Sequence, residues 1–79
     1  MNTFEKLKEI FKEVFGDDVD LTAVSENSAL AGDLGINSIG MLYMAMAIER
    51  EFGIKFDNSD FEKLVTVGDV ISVIENKKK

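Results

Sequence analysis

The sequence contains no cysteine, no histidine and no proline. Without cysteine there is no disulfide, no thiolate metal site and no thiol nucleophile borne by the chain. Without histidine, the Ser–His and Cys–His pairs of nucleophilic catalysis are excluded. The absence of proline permits long helices. No glycine-rich phosphate loop or dinucleotide fingerprint occurs. Two acidic groups, Asp17, Asp18, Asp20 and Asp57, Asp60, lack the alternating ligands, central glycine and closing glutamate of a calcium loop. They read as turn and cap residues. The chain is therefore not expected to be an enzyme or to hold a metal.

What is present bounds the rest. The 79 residues read as one domain, residues 1–79. A chain this short buries only about 60% of its unfolded surface, which leaves little room for an enclosed active site. Apolar residues make up 46%, enough for a packed core. The formal charge is −6, and Lys77, Lys78 and Lys79 read as a basic tail on a body that is more acidic still. Such a body repels nucleic acid and anionic lipid, and a basic protein surface suits it better. The apolar run from Ile39 to Ile48 covers ten residues, too few to span a bilayer. The first residues lack the layout of a signal peptide. A cytoplasmic monomer is expected.

The apolar period predicts helices separated by one long loop. Phe4, Leu7, Ile10, Phe11, Val14 and Phe15 recur at helical spacing, with Asn2 and Glu5 as a capping pair and Gly16 as the stop. From Asp17 to Asn37 the period disappears, and Val19, Leu21, Val24, Leu30 and Leu34 are left to pin the loop. A second helix is expected over Ser38–Phe52, ended by Gly53. Asp57 to Asp60 read as a turn or cap cluster, and Phe61 to Leu64 as one helical turn. Thr66 and Asp69 form a capping box that opens a last helix with Val67, Val70, Ile71 and Ile74 on one face.

The second helix carries two opposed apolar stripes. At about 100° per residue, Met41, Met44, Ala45, Ile48 and Phe52 fall on one side. Ile39, Leu42, Tyr43 and Met46 fall on the other, with Arg50 among them. Such a helix is either buried all round or presents one stripe to a partner. Arg50 favours a stripe that meets solvent or a partner. At its head, Asn37 is a strong cap and Ser38 would be the first helical residue, with its hydroxyl in solvent beside unpaired N–H groups. Ser38 as the cap itself is the plainer reading.

The stretch Asp33-Leu34-Gly35-Ile36-Asn37-Ser38-Ile39 resembles the phosphopantetheine attachment motif of acyl carrier proteins. Ile48 to Phe56, "IEREFGIKF", resembles that family's helix end and following turn. Phe61 to Glu75, "FEKLVTVGDVISVIE", resembles its short third helix and its fourth. The resemblance implies an all-α four-helix bundle with a long first loop and a short third helix. It implies 4′-phosphopantetheine on Ser38, attached by a phosphopantetheinyl transferase from coenzyme A. The arm would supply the thiol that the chain lacks. Acyl or aminoacyl groups would ride on it as thioesters between loading and condensing enzymes.

The resemblance also implies an acyl pocket lined by Met41, Ile48, Phe56, Phe61, Leu64 and Val70, and the bulk of Phe56 and Phe61 implies a shallow one. Two departures stand out. Asn37 replaces the family's aspartate before the serine. Gly40, Tyr43 and Arg50 stand where family members carry acids along the partner face. A partner face of Ile39, Leu42, Tyr43, Met46 and Arg50 is thereby implied, and a specialised carrier in fatty-acid, polyketide or related biosynthesis. The competing reading is an unmodified acidic helical adaptor that binds through the Ile39/Leu42/Tyr43/Met46 stripe.

Overall fold

The computed structural model describes residues 2–78, and within them the chain is all-α. Four α-helices follow one another: α1 (Thr3–Phe15), α2 (Ser38–Phe52), α3 (Asn58–Phe61) and α4 (Val67–Lys78). Short-range hydrogen bonds set their starts. The Asn2 side chain accepts from Glu5 N at 2.8 Å. Asn37 Oδ1 accepts from Gly40 N at 2.7 Å. Thr66 and Asp69 close the expected box in both directions, Asp69 N on Thr66 Oγ1 at 3.1 Å and Thr66 N on Asp69 Oδ2 at 2.9 Å. Each cap satisfies N–H groups that have no partner inside the helix. Gly16 and Gly53 follow the last residues of α1 and α2 as expected.

The third helix differs from expectation. It runs over Asn58–Phe61, and residues 62–64 have already left it. The Asp60 carboxylate accepts from Asp57 N at 2.7 Å, so the acidic cluster forms the helix start. Short polar residues satisfy a helix start and a turn by the same bonds, which is why the pattern reads either way. A single 3₁₀ turn over Gly16–Asp18 also follows α1, with no signal in the apolar period.

The core forms where α1, α2 and α4 meet. Leu7 and Phe11 of α1, Met44 and Ile48 of α2, and Val67, Val70 and Ile74 of α4 are fully buried. Val73 is buried and Ile71 only half-buried, which rotates the inner face of α4 from the expected one. The long loop contributes Val19, Leu30 and Ile36 as buried residues, while Leu21, Val24 and Leu34 pack at its edge. Its backbone also serves α4. Val67 N donates to Ser28 O at 3.0 Å and Gly68 N to Glu26 O at 2.8 Å. These carbonyls take N–H groups of the first turn that the helix itself cannot satisfy.

The expected basic tail is largely helix. Lys77 and Lys78 belong to α4, and Lys79 lies outside the described residues. Lys77 Nζ reaches Asp60 Oδ2 at 2.8 Å and so ties the end of α4 to α3. The Asp57 N–H and the Lys77 ammonium beside Asp60 hold its carboxyl below the ordinary aspartate value. That stabilisation is present above about pH 3.9 and is lost as pH falls through the lower folded value. Asp60→Asn is therefore expected to melt below wild type at neutral pH, with the gap closing as pH falls below about 3.9. Thermal melts from neutral pH to strong acid check this. A gap that stays constant would mean that Asp60 does not act as a carboxylate in the fold.

Candidate functional site

Ser38 is the first residue of α2 and is exposed. Asn37 is the cap, as the residue order suggests, and Ser38 is free of that duty. Among the described residues the Ser38 hydroxyl makes no hydrogen bond, and the Ser38 and Ile39 N–H groups have no acceptor. The hydroxyl thus stands at the positive end of the helix dipole beside two open donors, an arrangement that suits an anion.

The segment ahead of the serine is a compact turn. Asp33 N and Leu34 N both donate to Ala29 O, at 3.0 and 3.1 Å, and Ile36 N donates to Leu30 O at 2.9 Å. Gly35 has φ 70°. A side chain in that left-handed conformation costs about 1–2 kcal/mol, so glycine lets the turn reach the helix. Leu30 N in turn donates to Val65 O at 2.9 Å, which joins the turn to the α3–α4 connection.

Between turn and connection lies an open cleft of about 510 Å³ that reaches Ser38. Met41 and Leu64 line it, together with Val65 and residues 29–32. Of the six expected pocket residues, these two meet beside the serine. Ile48 and Val70 lie in the core with no exposed surface. Phe56 and Phe61 pack against each other, ring centroids 5.9 Å apart, at the edge of that core. Val65 is 60% exposed at the lip of the cleft and was not singled out in the sequence. It precedes the capping box and belongs to no periodic pattern.

The two stripes of α2 separate cleanly. Met44, Ala45 and Ile48 are buried, and Met41 and Phe52 are partly so. On the other side Ile39 is 62%, Leu42 54%, Tyr43 59% and Met46 62% exposed. Arg50 is exposed beside them, but its guanidinium donates to Glu13 of α1 at 2.8 Å. Glu13 thus offsets the one cation of the stripe, a contact between residues 37 apart in sequence. Gly40 is not on this outer face. Gly40 is buried, and a Cβ there would sit 3.1 Å from the Phe15 ring and from the Ile36 side chain, tight enough that these neighbours would have to shift by a few tenths of an ångström. The missing acid at that position therefore leaves the outer face unchanged.

Residues 5–74 match the family model described as a phosphopantetheine attachment site. The chain belongs to the acyl carrier protein family. It is 45% identical over 74 residues to the acyl carrier protein of Thermotoga maritima, covering 94% of this chain and 89% of the relative. It is 37% identical over 79 residues to the acyl carrier protein of Campylobacter jejuni subsp. doylei, over the full length of both. The carrier is thus non-catalytic, and its prosthetic group is 4′-phosphopantetheine. Family membership sets aside the unmodified adaptor and implies a phosphopantetheinyl transferase and acyl-handling enzymes as partners. No helix among the described residues is long and apolar enough to cross a membrane. The residues around Ser38 fit the prosthetic group: an exposed hydroxyl without a partner, two open N–H donors, and an apolar cleft alongside.

Proposed function

We propose that Ser38 is the residue that carries the 4′-phosphopantetheine, and that the carrier meets its acyl-handling enzymes through the Ile39/Leu42/Tyr43/Met46 face. The observation that carries the first part is the hydroxyl's position. Ser38 is exposed at the start of α2, directly after its cap. Ser28, by contrast, is buried and bonded to Ser25. When bound, the prosthetic group supplies a terminal thiol that holds acids as thioesters. The chain's own part is to present and orient. Ser38 Oγ bonds to the pantetheine-side phosphorus of coenzyme A as the pyrophosphate P–O bond breaks and adenosine 3′,5′-bisphosphate leaves, and the serine proton is taken up by the transferase. The open Ser38 and Ile39 N–H groups and the helix dipole favour the resulting negative charge, on the order of 0.3–1 kcal/mol at the surface. Met41 and Leu64 give a short or flexible cargo an apolar wall beside the attachment point. The buried Ile48 and Val70 and the paired Phe56 and Phe61 support a shallow shelter. The test is the intact mass and peptide map of the protein after incubation with a phosphopantetheinyl transferase and coenzyme A. A single gain of one phosphopantetheine on the Ser38 peptide is expected. A gain on Ser25, Ser28, Ser59 or Ser72 would refute the assignment.

The outer face of α2 supports docking by apolar contact. Its four large apolar side chains are more than half exposed, and the Arg50–Glu13 pair leaves it without net charge. Contact through such a face scales with buried apolar area, about 25 cal/mol per Å² before the costs of association. Charge steering weakens as salt rises, whereas apolar contact does not. Tyr43 sits at the centre and is the expected anchor, as tyrosine commonly is. Tyr43→Ala is expected to weaken binding of the carrier's acyl-loading enzyme by more than about 1 kcal/mol, with little dependence on salt. Tyr43→Glu should weaken it further. Turnover of that enzyme at low and high salt, with both variants, decides. If native turnover collapsed in salt and tolerated Tyr43→Glu, the acidic body would be steering the encounter instead.

A further inference from the structure

Asp33 stands five residues before Ser38 and is exposed. Among the described residues no ion pair involves it. Its carboxylate is nevertheless engaged: Oδ2 accepts from Ala29 N at 2.7 Å. The carbonyl of the same Ala29 accepts from Asp33 N at 3.0 Å. Both polar groups of the Ala29 backbone are thus held by one residue, which closes the turn on itself. From this ring the bonds run in two directions. Leu30 N donates to Val65 O, and Ile36 N to Leu30 O, each at 2.9 Å. Ile36 hands the chain to Asn37, the cap of α2, and so to Ser38. Residues 29–32 also line the cleft that reaches the serine.

We propose that Asp33 is a positioning residue for the modification of Ser38: its carboxylate clasps the turn over residues 29–36 and so holds the serine and the cleft wall in one arrangement for the transferase. The inference rests on Ser38 being the attachment residue. Without the carboxylate, Ala29 N–H turns to water and the turn keeps only its main-chain bonds. The competent arrangement is then populated part of the time, and apparent affinity falls by that fraction.

The experiment is the initial rate of phosphopantetheine transfer from coenzyme A, followed by intact mass over a range of carrier concentrations. Wild type, Ser38→Ala, Asp33→Ala, Asp33→Asn and Asp33→Glu are compared, each checked for helix content and melting. Asp33→Ala is expected to raise KM for the carrier about fivefold, the scale of one lost hydrogen bond, with kcat within about twofold. Asp33→Asn keeps a carbonyl acceptor at the same reach and should stay within about twofold of wild type. Asp33→Glu keeps the charge but places its oxygens one methylene further out, and should fall with alanine. If Asp33→Ala does not fold, the Asn and Glu variants still decide: Asn intact and Glu impaired supports the clasp. Glu intact and Asn impaired overturns it, because charge would then be what the transferase reads. A lowered melting temperature with unchanged KM and kcat also overturns it. Absence of transfer to wild type, or transfer to another serine, overturns both the Ser38 assignment and the Asp33 inference. Transfer to Ser38 that is indifferent to Asp33→Ala overturns the latter alone.

Discussion

Ser38→Ala is expected to abolish the mass gain completely while leaving the fold intact. The substitution removes one exposed hydroxyl that bonds to nothing among the described residues. The cap of α2 is the neighbouring Asn37, whose Oδ1 keeps Gly40 N at 2.7 Å. Alanine is the best helix former, so helix propensity shifts slightly in favour of folding. The melting temperature should stay within a few degrees, since surface changes away from caps and core cost no more than about 0.5 kcal/mol. Circular dichroism and intact mass after transferase treatment are the two measurements. A variant that unfolds would show Ser38 to be part of the cap. A folded variant that still gains the mass would place the arm elsewhere.

Phe11→Ala is expected to have the largest effect on stability. Phe11 is the largest fully buried side chain, at the centre of the α1 face that meets α2 and α4. Its ring packs at 6.1 Å from that of Phe15, which in turn closes on Gly40. Truncation removes the ring's transfer free energy and leaves a cavity, together about 3–5 kcal/mol. At roughly 0.05–0.15 kcal/mol per residue, a domain of this size has on the order of 4–12 kcal/mol in all. The variant should therefore lose at least about a quarter of its stability, with the urea midpoint falling in proportion. The effect should reach the site as well. With Phe15 loosened, the support of the α2 start through Gly40 and Ile36 weakens, and transfer to Ser38 should slow. A urea midpoint within about a tenth of wild type would mean that the core repacks around the loss.

Much of the site was legible because its determinants are local. The cap at Asn37 bonds to Gly40, and Ser38 follows Asn37, so four consecutive residues define the helix start. The same holds for Asn2 with Glu5 and for Thr66 with Asp69, each pair three residues apart. The end of α2 at Gly53 was equally plain. Resemblance to the carrier family added the identity of the arm, which no residue of the chain states chemically. Asp57 to Asp60 read as turn or cap and prove to be the cap, so α3 begins earlier than the turn expected over Phe61 to Leu64; their side chains satisfy a turn and a helix start alike. Val65 was missed because exposure at the lip of a cleft leaves no periodic trace.

The sequence by itself determined where α1, α2 and α4 begin, where α1 and α2 end, which serine heads the second helix, and that α2 carries two apolar faces. Those properties depend on hydrogen bonds and spacings within about four residues, whose energies are the same wherever the helix lies. Arg50 marks the outer stripe of α2 already in the sequence, but only the tertiary structure decided what covers the inner one: Leu7 and Phe11 of α1, Val70 and Ile74 of α4, and the loop residues Leu30 and Ile36. It also decided that Glu13 offsets Arg50 and that Lys77 closes on Asp60. Those partners lie far apart along the chain, and their distances are set by the packing of whole helices rather than by any local preference.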